Sequence, residues 1–205
     1  MQIPIYLAVK NEEIVKHRTA QLGFGFYPNG SVRLPAKILP NSIAVIDDLY
    51  LPNFTQSAVE MLKSKLIRGC ILDFERKITP QHQRLVKILP KIIALPEAYH
   101  ELAPKALPIV TCSEPCNSWL QFLSQTQKKF PNGWMLEIVP WKRKVSGSAP
   151  KNEGFLKNAI CRYKQQDGEL MYFDTKQTIE QKLTLVQSYS CRAALGLLEE
   201  LRKLQ

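Results

Sequence analysis

The sequence predicts an α/β fold, and within that class a compact (β/α)8 barrel of the TIM-like type, with an open doubly wound parallel sheet as the alternative. Two observations support this prediction. Short apolar runs recur along the chain, and segments with helical periodicity and N-cap signals separate them. Strands that alternate with helices are typical of a parallel sheet, and near-continuous apolar runs are typical of strands buried on both faces.

Six apolar runs are predicted as strands because they are short, rich in β-branched residues and regularly spaced. They are Ile3–Val9, Ser42–Ile46, Cys70–Leu72, Ile92–Leu95, Leu107–Val110 and Trp134–Val139. The last part of the chain raises the count to between six and eight. Eight strands would close a barrel, although 205 residues is at the short end for that fold. We expect one domain spanning residues 1–205.

The segments between these runs carry helix signals. Val59, Leu62 and Leu66 form an apolar stripe, and Thr79 followed by Pro80 is a favourable N-cap and first-turn pair. Another helix is predicted to open at Trp119, after Ser113 or Asn117. Thr178 with Gln181 forms a capping-box pattern ahead of the helix that contains Leu183 and Val186.

Three segments depart from this alternation. Gly23–Asn41, rich in Gly, Pro and aromatic residues, is predicted as a long structured loop. Asp167-Gly168 predicts a hairpin between Ile160–Tyr163 and Leu170–Phe173. Cys191–Leu204 fits a helix as well as a strand followed by a helix, and periodicity does not decide between them.

The composition is that of an ordinary globular protein with a basic surface. The net charge of +10 favours an anionic partner, or simply a solvated basic surface, and no nucleic-acid-binding motif is present. No apolar run is long enough to span a membrane, and no export signal is visible, so we expect a cytoplasmic protein without membrane association. The five scattered cysteines predict reduced thiols, and Cys112 and Cys116 lack the partners of a zinc site. No metal or cofactor is expected.

Acidic residues close several of the predicted strands. They are Asp47, Asp48, Asp73, Glu75, Glu97 and Glu114, with Glu137 inside the last run. Because all strands of a parallel barrel end at one mouth, these carboxylates are expected to converge there. Burial and like-charge neighbours raise carboxyl pKa values, which suits acid–base chemistry. Alternatively, each acid belongs to a loop or caps a helix, where negative charge is also favourable.

Asp73 and Glu75 form the most informative pair. Side chains two residues apart on a strand lie on the same face, here expected to be the barrel interior. A carboxyl group beside a second carboxylate can hold a proton near neutral pH, as a general acid must.

The segment from Arg68 to Glu75 resembles the strand-four signature of glycoside hydrolase family 18, the chitinase family, which reads D-G-x-D-x-D-x-E. Gly69, Asp73, the aromatic residue Phe74 and Glu75 match it. Arg68 and Ile71 replace the first and middle Asp of the signature.

A second block, in the right order, resembles the segment that closes the family's barrel. It comprises a strand ending at Asp174, a helical segment from Thr178 to Lys182, and the Gly-containing run Ala193–Leu197. Leu198 and Glu199 stand near the place of the family's tryptophan.

The resemblance implies roles for several residues. Glu75 would protonate the glycosidic oxygen, and Asp73 would orient the N-acetyl group whose carbonyl acts as the nucleophile. Glu137 would supply a compensating carboxylate, or act as the nucleophile of a different retaining mechanism. Substrate-binding roles are expected for strand-end acids and aromatic residues, namely Asp47, Asp48, Glu97, Glu137, Trp141 and Tyr172.

Two functions therefore compete. The first is a compact glycoside hydrolase acting on an N-acetylated polysaccharide or oligosaccharide such as peptidoglycan or chitin. The second is a non-catalytic barrel, a pseudoenzyme, that binds a glycan, a protein or an anionic polymer through its basic surface. The short chain and the departures from the family signature favour the second.

Overall fold

The computed structural model describes residues 3–10, 18–51, 54–66, 68–112, 118–145, 153–166 and 169–204. The chain divides into two compact units. The N-terminal unit is Ile5–Ile109, and the C-terminal unit is Val110–Gln205 together with Met1–Pro4. The expectation of a single domain over residues 1–205 stays a prediction.

The N-terminal unit is a parallel sheet with helical connections. Its elements are β1 (Ile5–Val9), β2 (Arg18–Phe26), β3 (Val32–Arg33), β4 (Ile43–Asp47), α1 (Gln56–Lys65), β5 (Cys70–Asp73), α2 (Pro80–Ile88), β6 (Ile92–Pro96), a 3-10 helix (Glu97–Leu102) and β7 (Leu107–Thr111). Strands β1, β2, β4, β5, β6 and β7 pair in that order, and every pair is parallel. The short strand β3 pairs antiparallel with β2.

One apolar cluster holds the helices of this unit against the sheet. Ile46 and Leu72 from the strands, with Leu62 of α1 and Leu85 of α2, are completely buried in it. Burial of each such side chain contributes about 1.5–3 kcal/mol. Thr55 caps α1 by accepting a hydrogen bond from the Ala58 amide, which satisfies a donor that the helix leaves unpaired.

The C-terminal unit combines a parallel strand pair with a small antiparallel sheet. Its elements are α3 (Trp119–Lys129), β8 (Trp134–Ile138), β9 (Lys142–Val145), α4 (Glu153–Ala159), β10 (Arg162–Gln166), β11 (Glu169–Phe173), α5 (Lys176–Val186), β12 (Cys191–Leu197) and α6 (Leu198–Leu201). Strand β12 pairs parallel with β8. Strand β11 lies between β10 and β9, antiparallel to both.

The strand predictions agree with the structure except at β2, β3 and β9, which are not among the predicted strands. All six apolar runs form strands whose ends differ from the predicted ends by no more than two residues. The predicted loop Gly23–Asn41 is wrong at its start, because Arg18–Phe26 is a nine-residue strand. Its register shifts between Gln21 and Phe24, where Gly23 has a φ of 100°, so a bulge hides the strand pattern.

The C-terminal predictions need one correction. The capping box that begins α5 is formed by Thr175 with Thr178, not by Thr178 with Gln181, since Thr175 is the N-cap residue. Of the two alternatives for Cys191–Leu204, the structure has the strand followed by a short helix and not the single helix. Strands β10 and β11 form the expected antiparallel pair. The hairpin dipeptide Asp167-Gly168, the acid Glu114 and the cap candidates Ser113 and Asn117 lie outside the described residues.

Among the described residues, no helix combines the length and the apolar character needed to cross a membrane.

Two buried thiols predict an alkaline loss of stability. Burial raises the pKa of the Cys70 thiol to about 12 and that of the Cys191 thiol to about 11. Above pH 9 the unfolded chain releases these protons and the folded chain keeps them, so the stability that both thiols contribute is complete below pH 9 and falls as the pH rises. Between pH 9 and 10 we expect a loss of about 1 kcal/mol per thiol.

Urea unfolding at the two pH values measures this loss. The double variant C70A/C191A should lose about 2 kcal/mol less than the parent chain over the same interval. Equal losses in both proteins would show that the Cys70 and Cys191 thiols do not cause the alkaline loss of stability.

Candidate active site

The carboxyl ends of β4 and β5 bring acidic residues together. The two strands pair in parallel with Asp47 opposite Asp73, so both strands end in an aspartate at the same edge of the sheet. Glu75 follows two residues after Asp73, and both are exposed. On the far side of β5, Glu97 begins the 3-10 helix directly after β6. Asp47, Asp73 and Glu97 therefore stand at the carboxyl ends of three neighbouring parallel strands, and the convergence of all the candidate acids at one mouth stays a prediction.

The alternation of side chains separates the acids from the core. Cys70, Leu72 and Phe74 point into the apolar cluster beneath the helices. Ile71 and Asp73, between them in sequence, face the opposite side of the sheet. Gly69, directly before this strand, has a φ of 123°, and a Cβ at this position would lie 2.5 Å from the Lys91 carbonyl oxygen. A side chain is therefore sterically excluded there, which explains the glycine at this position of the signature.

Asp48 is buried, unlike its neighbour Asp47, and fastens the loop that follows β5. Its carboxylate accepts hydrogen bonds from the backbone N–H of Glu75, 3.2 Å to each oxygen, and from that of Arg76, at 2.9 Å. Its Oδ2 atom is also 3.1 Å from Nε2 of His82, in α2. Asp48 and His82 are only 3% and 2% exposed. A buried carboxylate with this many donors is well satisfied.

The hydrogen bonds of His82 determine which ring nitrogen carries the proton. Nδ1 accepts the backbone N–H of Thr79 at 3.1 Å and lies 2.8 Å from the Thr79 hydroxyl. Because a backbone N–H can only donate, Nδ1 has no proton, and the neutral ring carries its proton on Nε2, facing Asp48. Both ring nitrogens of His82 are therefore occupied by protein groups, and neither is available to contact a substrate.

Tyr99, in the 3-10 helix, completes this network. Its hydroxyl donates to the carbonyl oxygen of Arg76, and its ring packs edge-on against Phe74, with the centroids 5.4 Å apart. Burial raises the pKa of Tyr99, and the charges of Asp48 and Glu75 raise it further, so the phenol stays protonated.

Asp47 is paired with a cation on its exposed side. The Arg33 guanidinium, from β3, forms an ion pair with the Asp47 carboxylate, and the Leu49 amide donates to Asp47 at 3.1 Å. Gly25 makes room for this pair, because a Cβ there would lie 2.7 Å from the guanidinium and 3.1 Å from the carboxylate. Arg33 thus places a positive charge next to the Asp47–Asp73 edge.

Glu137 belongs to the C-terminal unit. It lies in β8, half-buried, and accepts a hydrogen bond from the Thr111 hydroxyl at the end of β7. It lines a small pocket together with Cys112, Trp119, Trp141 and Lys182. The proposed pairing of Glu137 with Glu75 stays a prediction.

A buried cation lies beside this pocket. The Lys182 ammonium is 2.8 and 2.9 Å from the Asp174 carboxylate oxygens and 3.2 Å from the centre of the Trp141 ring. Burial lowers the pKa of Lys182, and the attraction of Asp174 opposes that shift. Asp174 also accepts the Trp141 backbone N–H at 3.0 Å and the Thr178 hydroxyl at 2.7 Å.

The two aromatic candidates are more buried than expected. Trp141 is 3% exposed, with Lys182 over its ring and its indole N–H donating to the Cys112 carbonyl at 2.6 Å. Tyr172 is 4% exposed, and burial raises the pKa of its phenol. Both rings therefore expose little surface for stacking on a sugar, and their substrate-binding roles stay predictions.

Sequence reasoning missed the residues that organise the site. Only the position of His82, three residues after the N-cap Thr79, gives a signal for that residue. Tyr99 is recognisable from the sequence as an aromatic residue near a strand end, but its contact with the Arg76 carbonyl is not. Within the described part of the chain, no group of three or more His, Cys, Asp or Glu residues is arranged to hold a metal ion.

Comparison with known proteins defines the fold. No family model matches the sequence, and no curated protein matches it. The structure is similar to that of the spore cortex-lytic enzyme SleL of Bacillus cereus, with a TM-score of 0.55, 12% identity, and coverage of 95% of this chain and 70% of that one. SleL of Bacillus megaterium QM B1551 gives a TM-score of 0.52 at 12% identity with the same coverage. A chitinase from Chromobacterium violaceum ATCC 12472 gives 0.53 at 11% identity, covering 97% of this chain and 95% of that one.

These similarities establish the architecture. The fold is a compact (β/α)8 barrel. Its parallel strands are β1, β2, β4, β5, β6 and β7 in the N-terminal unit, and β8 and β12 in the C-terminal unit. The predicted fold class is therefore confirmed, and β5 is the fourth barrel strand, the position that the family resemblance assigned to it.

The Asp174–Lys182 pair gives a stability prediction. K182M removes the cation and leaves a buried carboxylate uncompensated, so we expect a loss of about 3–5 kcal/mol in the free energy of unfolding. The double variant D174N/K182M removes both charges and should recover at least about 1 kcal/mol of that loss. Urea denaturation measures both. A double variant less stable than K182M would show that the charge pair is not the stabilising feature.

Proposed function

We propose that this chain is a glycoside-hydrolase-like barrel that cleaves an N-acetylated glycan, with Glu75 as the proton donor and Asp73 as the residue that orients the N-acetyl group. The observation that carries the proposal is the end of the fourth barrel strand. There Asp73 is exposed, lies beside Asp47 in register, and is followed by an exposed glutamate whose backbone is held in place.

The solved neighbours support the substrate class. One is described as a chitinase and two as spore cortex-lytic enzymes. Their fold is shared by this chain, and fold alone does not determine chemistry. The residues of β5 add the chemical argument, because a carboxyl pair at a strand end can both donate a proton and position a polar group.

The reaction would proceed in two steps. In the first, Glu75 gives its proton to the glycosidic oxygen while the carbonyl oxygen of the substrate's N-acetyl group attacks the anomeric carbon and the bond to the leaving sugar breaks. Asp73 accepts a hydrogen bond from the acetamide N–H, which favours that attack. In the second, water attacks the anomeric carbon, the bond to the carbonyl oxygen breaks, and Glu75, now a carboxylate, takes the proton of the water.

Asp47 has a supporting role in this proposal. Its charge is compensated by Arg33, so it lies beside Asp73 without adding an uncompensated negative charge to the edge. The acetamide contact is assigned to Asp73 because Asp73 occupies the position of the second-last acid of the family signature, two residues before Glu75.

Replacement of the proton donor tests the proposal. E75Q should lower kcat on chitin oligosaccharides or on peptidoglycan by about 10²–10⁴-fold, because general acid catalysis contributes that much. The matched control is E101Q, which makes the same chemical change at an exposed glutamate of the same unit. Release of reducing ends measures both rates. Unchanged turnover in E75Q would exclude Glu75 as the acid.

One observation favours the non-catalytic alternative. Ile71, 1% exposed, replaces a carboxylate of the family signature on the face that carries Asp73. If turnover requires that acid, this barrel binds a glycan and does not cleave it. Three results together would support this alternative: the parent chain binds chitin oligosaccharides, it does not hydrolyse them, and D73N binds them at least about tenfold more weakly.

A groove in the C-terminal unit carries three lysines and two acidic residues, Asp174 and Glu200, and its lysines could contact an anionic ligand. Lys142, Lys164 and Lys203 line it together with Trp141 and Phe173. If the glycan carries anionic groups that these lysines contact, its affinity should fall steeply between about 50 and 200 mM salt, since each neutralised charge releases counterions. Calorimetric titration at several salt concentrations measures the slope. A flat response would exclude the groove as a charge-based site.

A further inference from the structure

We infer that Asp48, locked by His82, is a positioning residue that determines where the Glu75 carboxyl group lies. Asp48 touches neither the reacting atoms nor an open surface, being 3% exposed. It acts through the backbone, because its carboxylate holds the amides of Glu75 and Arg76. This inference rests on the proposed function of Glu75.

Three separate elements fasten the loop that carries Glu75. The residue after β4, Asp48, accepts its amides, and Tyr99 of the 3-10 helix donates to the Arg76 carbonyl. Helix α2 contributes His82, whose ring packs against the rings of Phe74 and Tyr99 at 4.9 and 5.7 Å. With both the N–H and the C=O of Arg76 held from neighbouring elements, the backbone that precedes it has little freedom to reorient Glu75.

The charge of Asp48 is essential to this arrangement. Every group around its carboxylate donates: the backbone N–H of Glu75, the backbone N–H of Arg76, and the Nε2–H of His82. An asparagine has the same shape but offers one acceptor oxygen, and its amide group would face a donor. At least one of these buried donors would then lose its partner, and the loop would shift to find another.

His82 supports Asp48 and does not act as a base. Its Nδ1 is occupied by Thr79, and its Nε2–H is committed to Asp48. A glutamine at this position can reproduce both contacts, because its amide donates and its carbonyl accepts, and glutamine is a favoured capping-box residue three positions after an N-cap. A leucine reproduces neither.

Steady-state kinetics on chitin oligosaccharides or on peptidoglycan separate positioning from structural support. We expect D48N and H82L to lower kcat about tenfold or more with KM changed less than about twofold, since small displacements of a reacting group are costly. H82Q should restore most of the H82L loss. L85A is the control, because it destabilises the same helix α2 from the buried core without touching the Asp48 contacts.

A second measurement does not depend on catalysis. Amide hydrogen exchange at Glu75 and Arg76, followed by NMR under conditions where every variant is folded, should accelerate at least about tenfold in D48N, since their acceptor is weakened. It should stay near the parent rate in L85A. If the parent chain cleaves neither glycan, the proposed function fails, and this exchange still decides whether Asp48 holds Glu75.

The inference is overturned by any of three results. The amides of Glu75 and Arg76 remain as protected in D48N as in the parent chain. Exchange accelerates while D48N keeps the parent kcat. L85A loses as much kcat as D48N at equal fraction folded, which would reduce Asp48 to a residue that only stabilises the fold.

Discussion

The buried carboxylate of Asp48 is the interaction on which the geometry around Glu75 depends. Taking one charge out of water costs several kcal/mol, and that cost is offset only when hydrogen-bond donors satisfy the oxygens of the buried carboxylate. Here two backbone amides and the Nε2–H of His82 complete them. The same donors come from segments far apart in sequence, so the carboxylate joins the end of β4, the loop after β5 and helix α2 at one point.

The parallel register explains why neighbouring acids serve different purposes. Asp47 and Asp48 are adjacent, yet Asp47 stays at the sheet edge, opposite Asp73 and paired with Arg33, while Asp48 is buried against His82. Alternation on a strand produces this division without any special sequence signal. One acid contributes to the exposed edge and the next holds the loop that carries Glu75.

The parts of the fold that could be predicted are those determined by local pattern. Apolar runs such as Ile92–Leu95 are near-continuous, so their strands and their order were predictable, and Thr79-Pro80 marked the start of α2. Strand β2 was not, because a bulge around Gly23 and the buried polar side chain of Gln21 interrupt its alternation.

The site shows a sharper limit. The position of Asp73 at the end of β5 followed from the sequence, since the strand could be recognised. The contact of Asp48 with His82 joins residues 34 positions apart, and no periodicity encodes it. The burial of Trp141 depends on Lys182 lying over its ring, again a contact between distant segments. Side chains at strand ends can therefore be located from sequence, but whether they face solvent depends on packing from elsewhere.

A crystal structure of the E75Q variant with a bound N-acetylglucosamine oligosaccharide would show directly whether Glu75 and Asp73 contact the substrate. We expect a glycosidic oxygen within hydrogen-bond distance of the substituted side chain at position 75, an acetamide group bound to Asp73, and Asp48 still bound to the amides of residues 75 and 76. An oligosaccharide bound elsewhere, with the carboxyl edge of β5 empty of sugar, would contradict it.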